Sequence, residues 1–265
     1  MKDFELRILT KEVTELTRSI GMTIKEEIKR VTDKDVQEKG TSNFVTYVDK
    51  VAEETIVHKL RSLFPEAGYL TEEGTAREQK EYMWVVDPLD GTMNFIHNVP
   101  LYSVSIALRH KDETIAGVVY EPNLDECFYS WKGGDAYLND RKIHVSGYKK
   151  LSDSLIATGF PYHKDKHLSD YMGVLQAFLE RSHGIRRLGS AAVDLAYVAC
   201  GRYEAFYEYG LKPWDVAAGA FIVQQAGGKV SDFGGGNEFT DGNRIVASNS
   251  AIHTQLTDIL SKNMF

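Results

Sequence analysis

Apolar positions open the chain at steps of three and four. Leu6, Leu9, Val13, Leu16, Ile20, Ile24, Ile28 and Val31 form one stripe, which predicts a long amphipathic helix. Gly21 interrupts that stripe without having to break it. The polar stretch TDKDVQEKGTSN follows and reads as a loop, mobile by its composition. A second helix is predicted from Tyr47 to about Phe64, with Val48, Val51, Ile56 and Leu60 as its stripe and Pro65 past its end. GYLTEEGT then reads as a short strand ending in two glutamates. EYMWVVDP is a clearer strand, with Met83 to Val86 as an apolar run that Pro88 should stop.

From Leu101 the texture changes to β-rich pieces parted by turn residues: YSVSIALRH, ETIAGVVYEP, ECFYSWKG, DAYLND and RKIHVS. They predict an antiparallel sheet that closes a first unit near residue 150. Beyond it, strands and helices alternate. HLSDYMGVLQAFLERS is a helix with Tyr171, Val174, Leu175, Phe178 and Leu179 on one side. SAAVDLAYVACG is another, with Ser190 as its N-cap and Gly201 past its end. PWDVAAGAFIVQQAGG starts on Pro213 and stops at Gly227 and Gly228. SAIHTQLTDILSKN closes the chain. The expected organisation is an α+β half over residues 1–150 and an α/β half over 151–265, sharing one interface.

Composition excludes some function classes. A chain of 265 residues, 43% hydrophobic and 26% charged, is ordinary for a soluble globular protein with a real core. The net charge of −7 argues against a general nucleic-acid binder. It does not argue against a small anionic substrate, because a bound cation reverses the local sign. The two cysteines, Cys127 and Cys200, fit neither a zinc site nor a disulfide framework and read as small buried apolar residues. The N-terminus is charged and lacks an apolar signal core, and no run nears the ~18 apolar residues of a membrane span. A cytoplasmic location is expected.

Candidate chemistry concentrates in WVVDPLDGTMNF, which sets Asp87 and Asp90 close together at the end of a buried strand. Gly91 lets the backbone approach a bound group, and Thr92 offers a hydroxyl and a cap for a following helical turn. Such a loop can supply hard oxygen ligands for Mg²⁺ and helix-terminal amides for phosphate. It can equally be a turn whose aspartates cap and solvate, and spacing alone does not decide. Further acids widen the set: Glu72 and Glu73 after the preceding strand, and Asp215 in the first turn of a helix beside Trp214. Other motifs carry less. DFG at Asp232 lacks every other kinase element. His163 and His167 sit in a charged connection, and Arg186 and Arg187 read either as surface pairs or as contacts for a second phosphate or a ribose.

Taken together, WVVDPLDGTMNF, the preceding TEEG, GSAAVDLAYVACGRYEAFYE and WDVAAGAFIVQQAGG resemble the inositol monophosphatase family of Mg²⁺-dependent, lithium-sensitive phosphatases. The motifs stand in the family's order, and the likeness extends over nearly the whole chain. It implies a layered α+β / α/β sandwich of alternating helices and sheets, a small phosphorylated substrate, and a homodimer; from charge and hydropathy, neither nucleic acid nor membrane is expected as a partner. By the same resemblance Asp87 bridges two Mg²⁺ ions. Glu72 and the Leu89 carbonyl complete the first site, Asp90 and Asp215 the second. Leu89 stands where many relatives have isoleucine, which matters little for a carbonyl ligand. Asp49 and Thr92 would activate water, and the Gly91 and Thr92 amides would hold phosphate. Gly189, Ser190, Ala191 and Glu208 would shape the alcohol side, with Asp90 also in reach. Lys39 would face the phosphate or a third, weaker ion. myo-Inositol 1-phosphate is the default substrate. Fructose 1,6-bisphosphate, the 2′-phosphate of NADP(H) and adenosine 3′,5′-bisphosphate are alternatives, as is a non-catalytic role as an RNA-linked regulator. A calcium-stabilised domain is a third reading.

Overall fold

The computed structural model of the chain describes residues 3–28, 30, 37–40, 43–160 and 167–264, without the side chains of 3, 37–40 and 43–45. Its helices are α1 (Asp3–Glu27), α2 (Tyr47–Leu63), α3 (Thr92–Ile96), α4 (Leu168–Arg181), α5 (Ala191–Ala199), α6 (Pro213–Gln225) and α7 (His253–Asn263). The segment read as a loop carries a small antiparallel pair, β1 (Gln37–Gly40) and β2 (Asn43–Val45).

The larger of the two main sheets holds eight strands: β3 (Gly68–Thr71), β4 (Arg77–Glu78), β5 (Tyr82–Asp90), β6 (Ser103–His110), β7 (Glu113–Glu121), β8 (Glu126–Trp131), β9 (Tyr137–Leu138) and β10 (Arg141–Lys142). Their order is β10-β9-β8-β7-β6-β5-β3-β4, antiparallel except where β3 runs parallel to β5. The second sheet is built from β11 (Leu155–Thr158), β12 (Gly184–Arg186), β13 (Ala205–Tyr209), β14 (Lys229–Ser231) and β15 (Arg244–Ser248), in the order β12-β11-β13-β15-β14. There β11 is parallel to both neighbours, whereas β15 is antiparallel to β13 and β14.

The layers follow from the apolar faces. Trp84 and Val86 of β5 pack with Leu6, Val13 and Ile20 of α1 and with Ile56 and Leu60 of α2. The next residue along, Val85, faces the opposite way, with Ala107, Val119 and Phe128, toward Leu195 of α5 and Ile222 of α6. Both faces of the sheet are covered, so its central strand reads as a continuous apolar run rather than an alternation. Phe206 and Ile245 of the second sheet close the α5–α6 layer from below. Tyr207 and Val246 point the other way, onto Phe178 of α4 and Leu256 of α7. The result is five layers, helix–sheet–helix–sheet–helix. α6 is apolar almost all round, as a helix between two sheets must be.

One expectation holds and three shift. α1 runs unbroken through Gly21, where any Cβ would stand 2.6 Å from the Tyr120 ring, so a close approach explains the glycine. Val51 is 55% exposed and lies outside the buried arc of α2, which Val48, Ala52, Ile56 and Leu60 fill. Leu179, at the far edge of the α4 stripe, is also exposed. Pro88 does not end its strand: β5 continues to Asp90 through a register shift between the Asp87–Ser105 and Asp90–Ser103 pairs. An irregularity of that kind tolerates the missing N–H and re-aims the carboxylates. Among the described residues, no helix is long and apolar enough to cross a membrane.

Candidate metal centre

The irregular end of β5 faces the start of α6. One carboxylate oxygen each from Asp87, Asp90 and Asp215 lies within 4.8 Å of the other two. Asp87 is almost wholly buried, and its Oδ1 accepts the Leu89 amide at 2.9 Å. Burial, and then the charges of Glu72, Asp90 and Asp215, push its carboxyl well above the usual carboxylate range. Glu72, just past β3, is raised likewise, first by burial and then by Asp215. Its backbone amide donates to the Val86 carbonyl at 3.2 Å, which fixes the start of this turn against β5.

Asp90 crosses to the second half of the chain. Its Oδ2 accepts the Ser190 hydroxyl at 2.5 Å and the Ala192 amide at 2.8 Å. Burial raises its pKa, and these donors partly counter the rise. Ser190 is the N-cap of α5, as its sequence position suggested, and its hydroxyl also lies 3.2 Å from Ser103 Oγ. Asp215 is the third residue of α6 and accepts the Lys212 amide at 2.7 Å. Burial and Asp90 push its carboxyl up to about 7.

The turn between these acids is built for close approach. Gly91 is left-handed at φ +96°, and a Cβ there would sit 3.1 Å from the Gly189 carbonyl. That glycine, not Thr92, is the N-cap of the short helix α3. The Thr92 hydroxyl instead reaches the Leu89 carbonyl at 3.0 Å and Asp49 Oδ1 at 3.3 Å. One hydroxyl hydrogen serves two acceptors, so the Thr92 oxygen retains acceptor capacity. Asp49 comes from α2, where the Thr46 amide and hydroxyl hold its Oδ2 at 2.8 and 2.6 Å. Its pKa is raised by burial despite those bonds.

Beyond Asp90 lie the residues expected to meet the alcohol. Glu208 on β13 is buried and raised well above its ordinary pKa by burial. The nearby Arg187 guanidinium opposes that shift, and Asp215 and Asp90 add to it. Asp194 of α5 is in the same position, raised by burial and then by Glu208 and Asp90. Gly189, Ser190 and Ala191 lie at the N-terminal end of α5, which Asn94 braces by donating to the Leu188 carbonyl at 2.8 Å. The Lys39 side chain and all of His163 lie outside the described residues, so the roles considered for them find no structural counterpart here.

Buried and half-buried acids that raise one another's pKa, with oxygens converging on one point, form a donor set that could hold a hard divalent cation. Sequence reasoning missed the supports of this set: Thr46, Asn94, Ser103 and, above all, Glu53. A signal for Glu53 existed, since it stands four residues after Asp49 and so shares its helical face.

A family model described as the inositol monophosphatase family matches residues 5–264. The chain belongs to the inositol monophosphatase family. A Pseudomonas aeruginosa protein named Nus factor SuhB is 46% identical over 239 residues, 88% of each chain. An inositol-1-monophosphatase of Mesorhizobium japonicum is 41% identical over 244 residues, 91% of this chain and 92% of its own. Among solved structures, the extragenic suppressor protein suhB of Bartonella henselae superposes with a TM-score of 0.90 at 38% identity, covering 94% of this chain and 97% of its own. The layered fold is thus that of this family of phosphatases.

Proposed function

We propose that this phosphatase hydrolyses small phosphate monoesters with Mg²⁺, with myo-inositol 1-phosphate as its leading substrate and a broad range beyond it. The supporting observation is the convergence of Asp87, Asp90 and Asp215 in a partly buried site where their charges oppose one another. The 41% identical relative named inositol-1-monophosphatase supports the choice of alcohol. Fructose 1,6-bisphosphate, the NADP(H) 2′-phosphate and adenosine 3′,5′-bisphosphate are competing esters. Lithium inhibition, a homodimer and a cytoplasmic setting belong to the same proposal.

In this reading Asp87, Glu72 and the Leu89 carbonyl would hold one ion, and Asp87, Asp90 and Asp215 a second. Lys39 would approach the phosphate or a third, weaker ion. The ions would supply Lewis-acid charge that acidifies water and offsets charge on the phosphoryl oxygens. Asp49 and Thr92 orient the attacking water, and Asp49, whose pKa burial raises, takes its proton. The Gly91 and Thr92 amides hold the phosphoryl group in line. As the water oxygen bonds to phosphorus, the ester P–O bond breaks and a solvent proton completes the alcohol. Glu208 and Asp90 accept hydrogen bonds from the polyol beside the α5 start.

Steady-state rates on the four esters, with Mg²⁺ and with or without Li⁺, test the substrate. The highest kcat/KM is expected for inositol 1-phosphate, and hydrolysis of none of them at any Mg²⁺ concentration removes the proposal. Asp90→Asn and Asp215→Asn should each shift the Mg²⁺ concentration for half-maximal rate upward by about tenfold or more. An unchanged Mg²⁺ dependence would show that the second-ion ligands are wrongly assigned. A second reading, an RNA-linked regulatory role, draws on the relative named Nus factor. RNA binding by the Asp87→Asn protein, which should be inactive, tests that role apart from catalysis.

A further inference from the structure

We infer that Glu53 is a positioning residue that sets where the Glu72 carboxylate stands and ties the first ion position to the helix carrying Asp49. Glu53 is fully buried on α2. Its Oε2 accepts the Glu73 amide at 2.7 Å. Its Oε1 accepts the Thr75 amide at 2.9 Å and the Thr75 hydroxyl at 2.8 Å. Both oxygens are therefore spent on the turn that carries Glu72.

A buried carboxylate is costly unless it is well satisfied, and apart from Asp49 the other inward positions of α2 are filled by apolar residues such as Ile56 and Leu60. An apolar side chain at 53 would continue that core. It would also release the turn from α2, since Gly74 and Thr75 are exposed and Gly74 is left-handed. The Glu72 amide is pinned on the other side by the Val86 carbonyl. Glu72 thus stands between two anchors, β5 before it and Glu53 after it. Asp49, one helical turn before Glu53, reaches Thr92. A single rigid helix therefore sets the distance between the water-orienting pair and the first ion ligand, a constraint that a loop alone could not impose.

The inference rests on the proposed role of Glu72 as an ion ligand, and the test separates the two. Mg²⁺ binding is measured by calorimetry on the parent, Glu53→Gln, Glu53→Ala and Glu72→Gln, with amide hydrogen exchange followed over residues 72–75. Glu53→Gln keeps one acceptor oxygen and fits the same space, so it serves where Glu53→Ala does not fold. The expected result is Mg²⁺ affinity lowered about tenfold in Glu53→Gln and further in Glu53→Ala. The Glu73 and Thr75 amides should exchange faster, and kcat at saturating Mg²⁺ should fall less than affinity does. Glu72→Gln should weaken binding at least as much. Weaker binding in Glu72→Gln with parental affinity in Glu53→Gln overturns the inference alone. Parental affinity in Glu72→Gln overturns the ligand assignment beneath it.

Discussion

Asp87→Asn should lose roughly 10³-fold or more in turnover at millimolar Mg²⁺ while the chain stays folded. The size follows from what one group is asked to do. Asp87 is the acid shared by both proposed ion positions, and losing a single preorganised electrostatic contact already costs about 10² to 10³ in rate. The fold should survive because the one backbone bond that Asp87 accepts, from the Leu89 amide, can be accepted by an asparagine oxygen of the same shape. The substitution also deletes a charge that Glu72, Asp90 and Asp215 oppose. Metal-free Asp87→Asn should therefore melt no lower than the metal-free parent. Steady-state kinetics and a melting curve in chelator check both halves, and parental turnover would remove the two-ion scheme.

The second large effect is a pH dependence that reverses on adding Mg²⁺. Asp215 rises from an ordinary value near 4 to about 7, and Glu72, Asp87 and Asp90 move in the same direction. Each such carboxyl, when folded, keeps a proton that the unfolded chain has already lost. Between about pH 4 and 7 the metal-free folded state binds more protons, so its stability falls as pH rises through that window. Below it, both states are protonated and the term vanishes. A cation needs the ionised carboxylates, so its benefit grows as the protons leave. At a hundredfold excess over Kd, Mg²⁺ should raise the melting temperature by roughly 5 to 10 °C at pH 8. At pH 5.5 the gain should be markedly smaller. Proton release on Mg²⁺ binding near pH 7, seen by calorimetry in buffers of different ionisation enthalpy, is the companion result. Equal Mg²⁺ shifts at both pH values would contradict the geometry of the centre.

These outcomes depend on features that differ in how openly the sequence displays them. Long elements with a full apolar face, such as α1, β5 and β7, are legible because burial on one or both faces leaves a periodic record. The acids of the centre are legible as residue types, and Asp87, Asp90 and Asp215 do converge. What local pattern hides is direction. Pro88 reads as a stop because a regular ladder needs its N–H, yet the shifted register at this point carries β5 to Asp90. Thr92 reads as a cap because threonine caps helices, yet left-handed Gly91 takes that position and frees the hydroxyl for Leu89 and Asp49. Glu53 and Asn94 act on partners about 20 and 94 positions away, so no window of a helical turn or two contains their purpose. Val51 fails for a simpler reason: it is apolar but lies off the buried arc.

The crossing from Asp90 to the α5 terminus carries a consequence for how the molecule is made. During synthesis the first sheet leaves the ribosome before Ser190 and Asp215 exist, so the full set of converging acids can assemble only once the second half follows. Docking of α5 and α6 would then bring Ser190, Ala192 and Asp215 to Asp90 and close the site. Cellular magnesium should accordingly matter most at the final act of maturation, when a nearly finished polypeptide seals the last of its charge against solvent.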